Sequence, residues 1–206
     1  MMLDKIHWLG HDTFKIKADK VIYTDPYKIS GGEKADIIFI THEHYDHFSI
    51  EDINKIATPK TKFVAPKCVT KKLQGKTVTT VKAGDKIEVD GIGVEVVAAY
   101  NMNKEFHPQA KGYVGYILTI NGTRIYHSGD TDVIPEMKQV VCDIALLPVG
   151  GTYTMTAQAA AEAVKKFKVK TAIPMHWGTV VGSIEDAEEF KRLCPPHVEV
   201  KILSKE

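Results

Sequence analysis

Apolar residues along this chain fall in short runs separated by turn-forming residues, and the first runs read as strands. Ile6 to Leu9, Phe14 to Lys17 and Val21 to Thr24 are set apart by Gly10-His11-Asp12 and Ala18-Asp19-Lys20. Asp25-Pro26 closes the third run, because proline has no N–H to give a ladder. Ile37 to Ile40 is continuously apolar, the pattern of a fully buried strand, and stops at Thr41. Ser49, with Asp52 three positions on, predicts the start of a short helix. Further strands are predicted at Lys62 to Ala65, Thr77 to Val81, Lys86 to Val89 and Val94 to Ala98. Tyr113 to Ile120 and Thr123 to Tyr126 flank Asn121-Gly122, the strongest hairpin signal in the chain.

Helical patterning enters later. Thr156 offers a cap for an Ala-rich helix from Ala157 to about Phe167, and Ser183 with Asp186 starts another that Pro195-Pro196 must end near Leu193. Ile144 to Leu147 and Thr171 to Met175 read as buried strands, and Val198 to Leu203 as a strand closing a sheet edge. No short-period repeat, low-complexity tract or linker interrupts this order. The expectation is one α/β (α+β) domain over residues 1–206, two sheets with helices outside them.

Composition narrows the class without naming a function. Of the residues, 44% are apolar and 26% charged, ordinary for a globular protein able to bury a core. Lys plus Arg is 27 against 26 for Asp plus Glu, so no charge excess argues for nucleic acid or an anionic membrane. Cys68, Cys142 and Cys194 are odd in number and form no CxxC pair, which fits free thiols in a reducing compartment. The first residues lack the apolar core of a secretory signal, and no run is long enough to span a bilayer. A cytoplasmic location is expected, with no membrane and no nucleic acid as partner; a homo-oligomer is left open.

The chemistry concentrates at the ends of apolar runs. His42-Glu43-His44-Tyr45-Asp46-His47 follows Ile37 to Ile40 and holds three imidazoles and an aspartate, good ligands for divalent metals. His42, His44, Asp46 and His47 are too crowded for one tetrahedral ion, and the spacing suits two adjacent ions. His127-Ser128-Gly129-Asp130 follows the strand ending at Tyr126, and His176-Trp177-Gly178 follows the one ending at Met175. Strand ends are where a rigid scaffold presents variable loops, so three such ends can meet at one mouth. Gly150-Gly151-Thr152 lacks the Lys-Ser/Thr of a phosphate loop and fits a tight backbone path instead.

At these residues the chain resembles the metallo-β-lactamase fold superfamily. The His-x-His-x-Asp-His motif is matched by His42, His44, Asp46 and His47; the early Asp after a strand by Asp25; the Gly-Asp pair by Gly129-Asp130; and the late His by His176. The resemblance implies a four-layer αββα sandwich and a metal-dependent hydrolase. It implies His42 and His44 on a first ion, Asp46, His47 and His176 on a second, and Asp130 bridging both. Asp25 is implied to orient ligand imidazoles through hydrogen bonds.

The family's mid-chain His is absent after Val94 to Ala98, where Ala99-Tyr100-Asn101 stands; His107 is the better candidate and Asn101 the alternative, since imidazole is the stronger ligand. Two divalent ions are expected, zinc first, with manganese, nickel or iron as alternatives. The short lactonase-like members that include phospho-ascorbate lactonases are the nearest in style, through Trp8-Leu9-Gly10-His11 and Leu147-Pro148-Val149-Gly150-Gly151.

The implied reaction is hydrolysis of a small ester, lactone or phosphodiester by a bridging hydroxide, with Asp46 handling its proton and His127 and His11 candidate contacts for substrate or developing charge. His11 and His127 fit structural roles equally well. Two rival readings carry the same residues: a single-iron dioxygenase-type oxidoreductase, and a metal-binding module without catalysis. The His44 position argues against the di-iron type, which carries an acid there.

Overall fold

The computed structural model describes residues 1–206. The chain divides into two compact units, Met1–Val81 with Leu203–Glu206, and Lys82–Ile202.

In the first unit six strands form one sheet in chain order: β1 (Ile6–Gly10), β2 (Thr13–Lys17), β3 (Val21–Thr24), β4 (Ile37–Phe39), β5 (Lys62–Pro66) and β6 (Thr77–Val81). β1, β2 and β3 are antiparallel neighbours, whereas β3 through β6 pair in parallel. Only β2 therefore runs backwards, and the carboxyl ends of β1, β3 and β4 lie along one edge. Tyr23, Ile38 and Phe63 pack with Ile53 and Ile56 of α1 (Ile50–Ile56) and Val69 of α2 (Lys67–Thr70). Each such fully buried side chain contributes about 1.5–3 kcal/mol. Ser49 caps α1 as its spacing predicts, its hydroxyl accepting from the Asp52 N–H at 3.2 Å.

The second unit holds a seven-stranded sheet. Its strands are β7 (Lys86–Val89), β8 (Ile92–Ala98), β9 (Val114–Ile120), β10 (Thr123–His127), β11 (Ile144–Pro148), β12 (Thr171–Met175) and β13 (Glu199–Val200), in the order β13-β12-β11-β10-β9-β8-β7. β10 through β13 are parallel, and β9 reverses between β8 and β10, so β8 runs with β10, β11 and β12. The loops after β8, β10 and β12 thus leave from the same edge. The Asn121-Gly122 turn joins β9 to β10 with φ of 49° and 78°, the left-handed pair a tight hairpin needs. Helix α3 (Ala157–Val164) is capped by Thr156, which accepts from the Ala159 N–H at 3.1 Å. Helix α4 (Ile184–Leu193) begins where the Ser183 N–H donates to Asp186 Oδ2 at 2.8 Å.

Two expectations shift, and one helix is new. The helix Lys67–Thr70 has no sequence signal, being a single turn after β5. α3 stops at Val164, short of Phe167, which leaves the helix and stacks edge-on against Tyr126 at 5.9 Å. The last strand keeps only Glu199–Val200, because the chain from Leu203 belongs to the first unit, where the Glu206 N–H donates to the Trp8 carbonyl at 3.0 Å.

Candidate metal centre

In the first unit the polar cluster is organised by Asp25, which follows β3 with φ of 40° and is fully buried. The Asp25 N–H donates to the Phe39 carbonyl, and the Thr13 hydroxyl donates to the Asp25 carbonyl at 2.6 Å. Its Oδ1 accepts from the Thr41 N–H at 2.8 Å, and its Oδ2 accepts from the Thr41 hydroxyl at 2.5 Å and lies 2.9 Å from His47 Nδ1. A carboxylate only accepts, so His47 carries its proton on Nδ1 and turns the Nε2 lone pair away from Asp25. The His42 ring packs against His47 with centroids 4.1 Å apart, and its Nε2 lies 3.0 Å from His44 Nδ1. Asp46 Oδ2 stands 3.1 Å from His11 Nε2 and 3.8 Å from His47 Nε2. His42, Asp46, His47 and His11 are buried and His44 is half-buried.

In the second unit Asp130 is the centre. Its Oδ2 lies 3.1 Å from His107 Nε2 and 3.1 Å from His176 Nε2, and all three residues are buried. His176 adopts φ of 59° directly after β12, a left-handed conformation that non-glycine residues rarely take and that collects at functional sites. His107 is held by Asn101. Asn101 Oδ1 accepts from the His107 N–H at 3.0 Å and lies 3.1 Å from His107 Nδ1, while Asn101 Nδ2 donates to the Tyr153 carbonyl at 3.0 Å. The amide oxygen fixes Nδ1 as the protonated nitrogen and leaves Nε2 directed at Asp130. His127 is buried, and its Nδ1 accepts from the Gly129 N–H at 3.2 Å.

Of the residues that the sequence singles out, Asp25, His42, His44, Asp46 and His47 lie together in the first unit, and His107, Asp130 and His176 lie together in the second. Of the two alternatives after β8, His107 aims a ring nitrogen at a carboxylate, whereas Asn101 spends its amide on the loop. Sequence reasoning missed the grip of Asn101 on His107 and the pairing of His11 with Asp46. The second had no local signal: His11 follows β1, and only the pairing of β1 through β4 puts the end of β1 on the edge where β3 and β4 end. The donor set is imidazole and carboxylate, which suits zinc and neighbouring divalent metals. No thiol joins it, and burial pushes the Cys142 and Cys194 thiols up to about 12.

Residues 5–176 match the family described as the beta-lactamase superfamily domain. A UPF0173 metal-dependent hydrolase of Thermococcus onnurineus is 35% identical, covering 97% of this chain and 96% of its own. The crystal structure of a putative metal-dependent hydrolase from Parabacteroides distasonis superposes with a TM-score of 0.87 at 35% identity, covering 97% of this chain and 93% of that one. A metallo hydrolase from Ignicoccus hospitalis shares the fold at 24% identity and a TM-score of 0.79, covering 97% of this chain and 94% of that one.

Proposed function

Since this chain belongs to the beta-lactamase superfamily and is a metal-dependent hydrolase of the metallo-β-lactamase fold, we propose that it uses two divalent ions, zinc first among them, to cleave a small ester, lactone or phosphodiester. The observation that carries this reading is Asp130 Oδ2, 3.1 Å from both His107 Nε2 and His176 Nε2, a buried carboxylate flanked by two imidazole nitrogens. Ligand atoms on one tetrahedral ion at about 2.0–2.2 Å stand about 3.3–3.5 Å apart, close to that spacing.

In this reading the residues that would hold the ions are His42, His44, Asp46 and His47 in the first unit and His107, Asp130 and His176 in the second. Bound there, such ions lower the pKa of a coordinated water to about 7 and polarise the substrate oxygen. The chain's own residues do the rest. Asp25 holds His47 through Nδ1 so that Nε2 is the nitrogen offered to a ligand position. Asn101 does the same for His107. Asp46 accepts the nucleophile's proton, and His127, whose Nδ1 accepts from the Gly129 N–H, is left with Nε2–H as a donor for developing negative charge. The lactonase-like subtype rests on the Trp8-Leu9-Gly10-His11 and Leu147-Pro148-Val149-Gly150-Gly151 segments.

Elemental analysis of protein purified without chelator, joined to a panel of esters, lactones and phosphodiesters, tests the reading. About two zinc, manganese or nickel ions per chain and turnover of one substrate class, lost on chelation and restored by metal, are expected. Iron with an oxygen-dependent activity overturns hydrolysis in favour of oxygenation, and a metal-replete protein inert to the whole panel leaves a binding module.

A further inference from the structure

We propose that His11 is itself a metal ligand, sharing an ion with Asp46 and His47. The inference rests on the metal-centre reading above and extends its donor set by one residue.

His11 follows β1 and is fully buried, yet it adopts φ of 52°. Buried residues in the left-handed region cluster at functional sites, and histidine is among the types that enter it. Its backbone is pinned by Trp8, whose indole N–H donates to the His11 carbonyl at 2.8 Å, and its ring meets the edge of Tyr27 with centroids 5.8 Å apart. Those contacts fix where the imidazole points. Its Nε2 lies 3.1 Å from Asp46 Oδ2, and His47 Nε2 lies 3.8 Å from the same oxygen. Asp25 already holds the far side of His47, so that Nε2 is a lone-pair donor.

Two imidazole nitrogens therefore flank one carboxylate oxygen at separations that bracket the roughly 3.3–3.5 Å expected between ligands of one zinc-like ion. His11 stands to Asp46 as His107 and His176 stand to Asp130, each at 3.1 Å. A hydrogen bond to Asp46 accounts for the His11 contact by itself, and what marks a shared ligand position is the approach of His47 Nε2 to the same oxygen.

The test counts imidazoles. His11→Asn suits the left-handed backbone, because asparagine tolerates that conformation, and it removes the ring; His11→Gln serves as a second variant. Metal content, affinity in competition with a chelator, and X-ray absorption of zinc- or cobalt-loaded protein are measured beside circular dichroism. The expected result is one fewer imidazole in the metal's scattering and affinity for one ion weakened more than about 100-fold, beyond the 10–100-fold typical of losing a residue that merely supports a ligand. Unchanged imidazole scattering in a folded variant overturns the proposal and leaves the parent reading standing. A native protein that retains no imidazole-bound metal overturns both. Should neither variant fold, the native cobalt-loaded protein decides: the His11 ring protons carry the large paramagnetic shift of a coordinated imidazole, and ordinary shifts overturn the assignment.

Discussion

Gly150 sits so close to His176 that a methyl group on its Cα would lie 2.2 Å from the His176 carbonyl oxygen. β11 and β12 are parallel neighbours, and the chain leaves both at the same edge, so the backbone after Pro148 passes directly over the residue that aims its ring at Asp130. The Val181 side chain closes the remaining space at 2.9 Å from the same point. Gly150→Ala must push the strained His176 backbone, and overpacking of this kind costs about 1–3 kcal/mol. The expected outcome is a lower urea midpoint together with weaker metal retention. A variant of native stability and native metal content would show that the His176 turn yields freely.

Asp25→Asn separates orientation from folding. Three donors converge on the two Asp25 oxygens: the Thr41 N–H, the Thr41 hydroxyl and His47 Nδ1–H. An amide offers one oxygen and sets an NH2 against one of those donors. Asparagine accepts the φ of 40° there, so the fold is expected to persist. Metal affinity is expected to fall about 10–100-fold, measured by chelator competition; unchanged affinity would remove Asp25 from the centre.

Asn101 gives the matching prediction in the second unit. Asn101→Ala releases His107 Nδ1 and the Tyr153 carbonyl together, and about 10–100-fold weaker metal binding is expected. Asn101→Asp keeps the oxygen that faces His107 and is expected to recover most of the loss. Equal defects in the two variants would mean that the grip on Tyr153, not on His107, is what counts.

Much of this arrangement was legible in the sequence. The strand runs and the Ser49 and Thr156 caps follow from local pattern, because the side chains that decide them are neighbours in the chain. The His42 to His47 motif was legible for the same reason. The service of Asn101 to His107 was not: it depends on how the loop after β8 folds back through the Asn101 N–H to the His107 carbonyl at 2.7 Å. Nor was the reach of His11 to Asp46, residues 35 apart that only the pairing of β1 through β4 brings to one edge. The end of α3 was misplaced because propensity favours helix through Lys166, whereas burial of Phe167 against Tyr126 is a tertiary demand.

Asp52 predicts an acid limit for the first unit. Burial alone pushes its carboxyl up, but hydrogen bonds from Lys55, Ser49 and the Lys28 N–H, with the Lys55 charge, outweigh burial and hold it below the usual aspartate range. A carboxyl lowered in the folded state adds stability above its unfolded pKa of about 3.9, and that share is lost as pH falls through the folded value. Asp52→Asn is expected to unfold more easily than wild type at neutral pH, with the gap closing below pH of about 4 in urea titrations. A gap that stays constant down to acid would show that the Asp52 charge contributes nothing.

Asp46→Asn isolates the proton step. The Asp46 side chain keeps 10% of its surface exposed, and asparagine has the same size and shape, so the substitution is expected to leave the fold intact by circular dichroism and melting. An amide is a weaker ligand than a carboxylate and cannot accept a proton near neutral pH. Loss of general-base help lowers turnover about 100- to 10,000-fold, and that fall is expected in kcat more than in KM. Metal content decides how the loss is read. If saturating zinc restores full occupancy but not rate, Asp46 carries the proton; if rate returns with occupancy, Asp46 is a ligand and the proton leaves by another group.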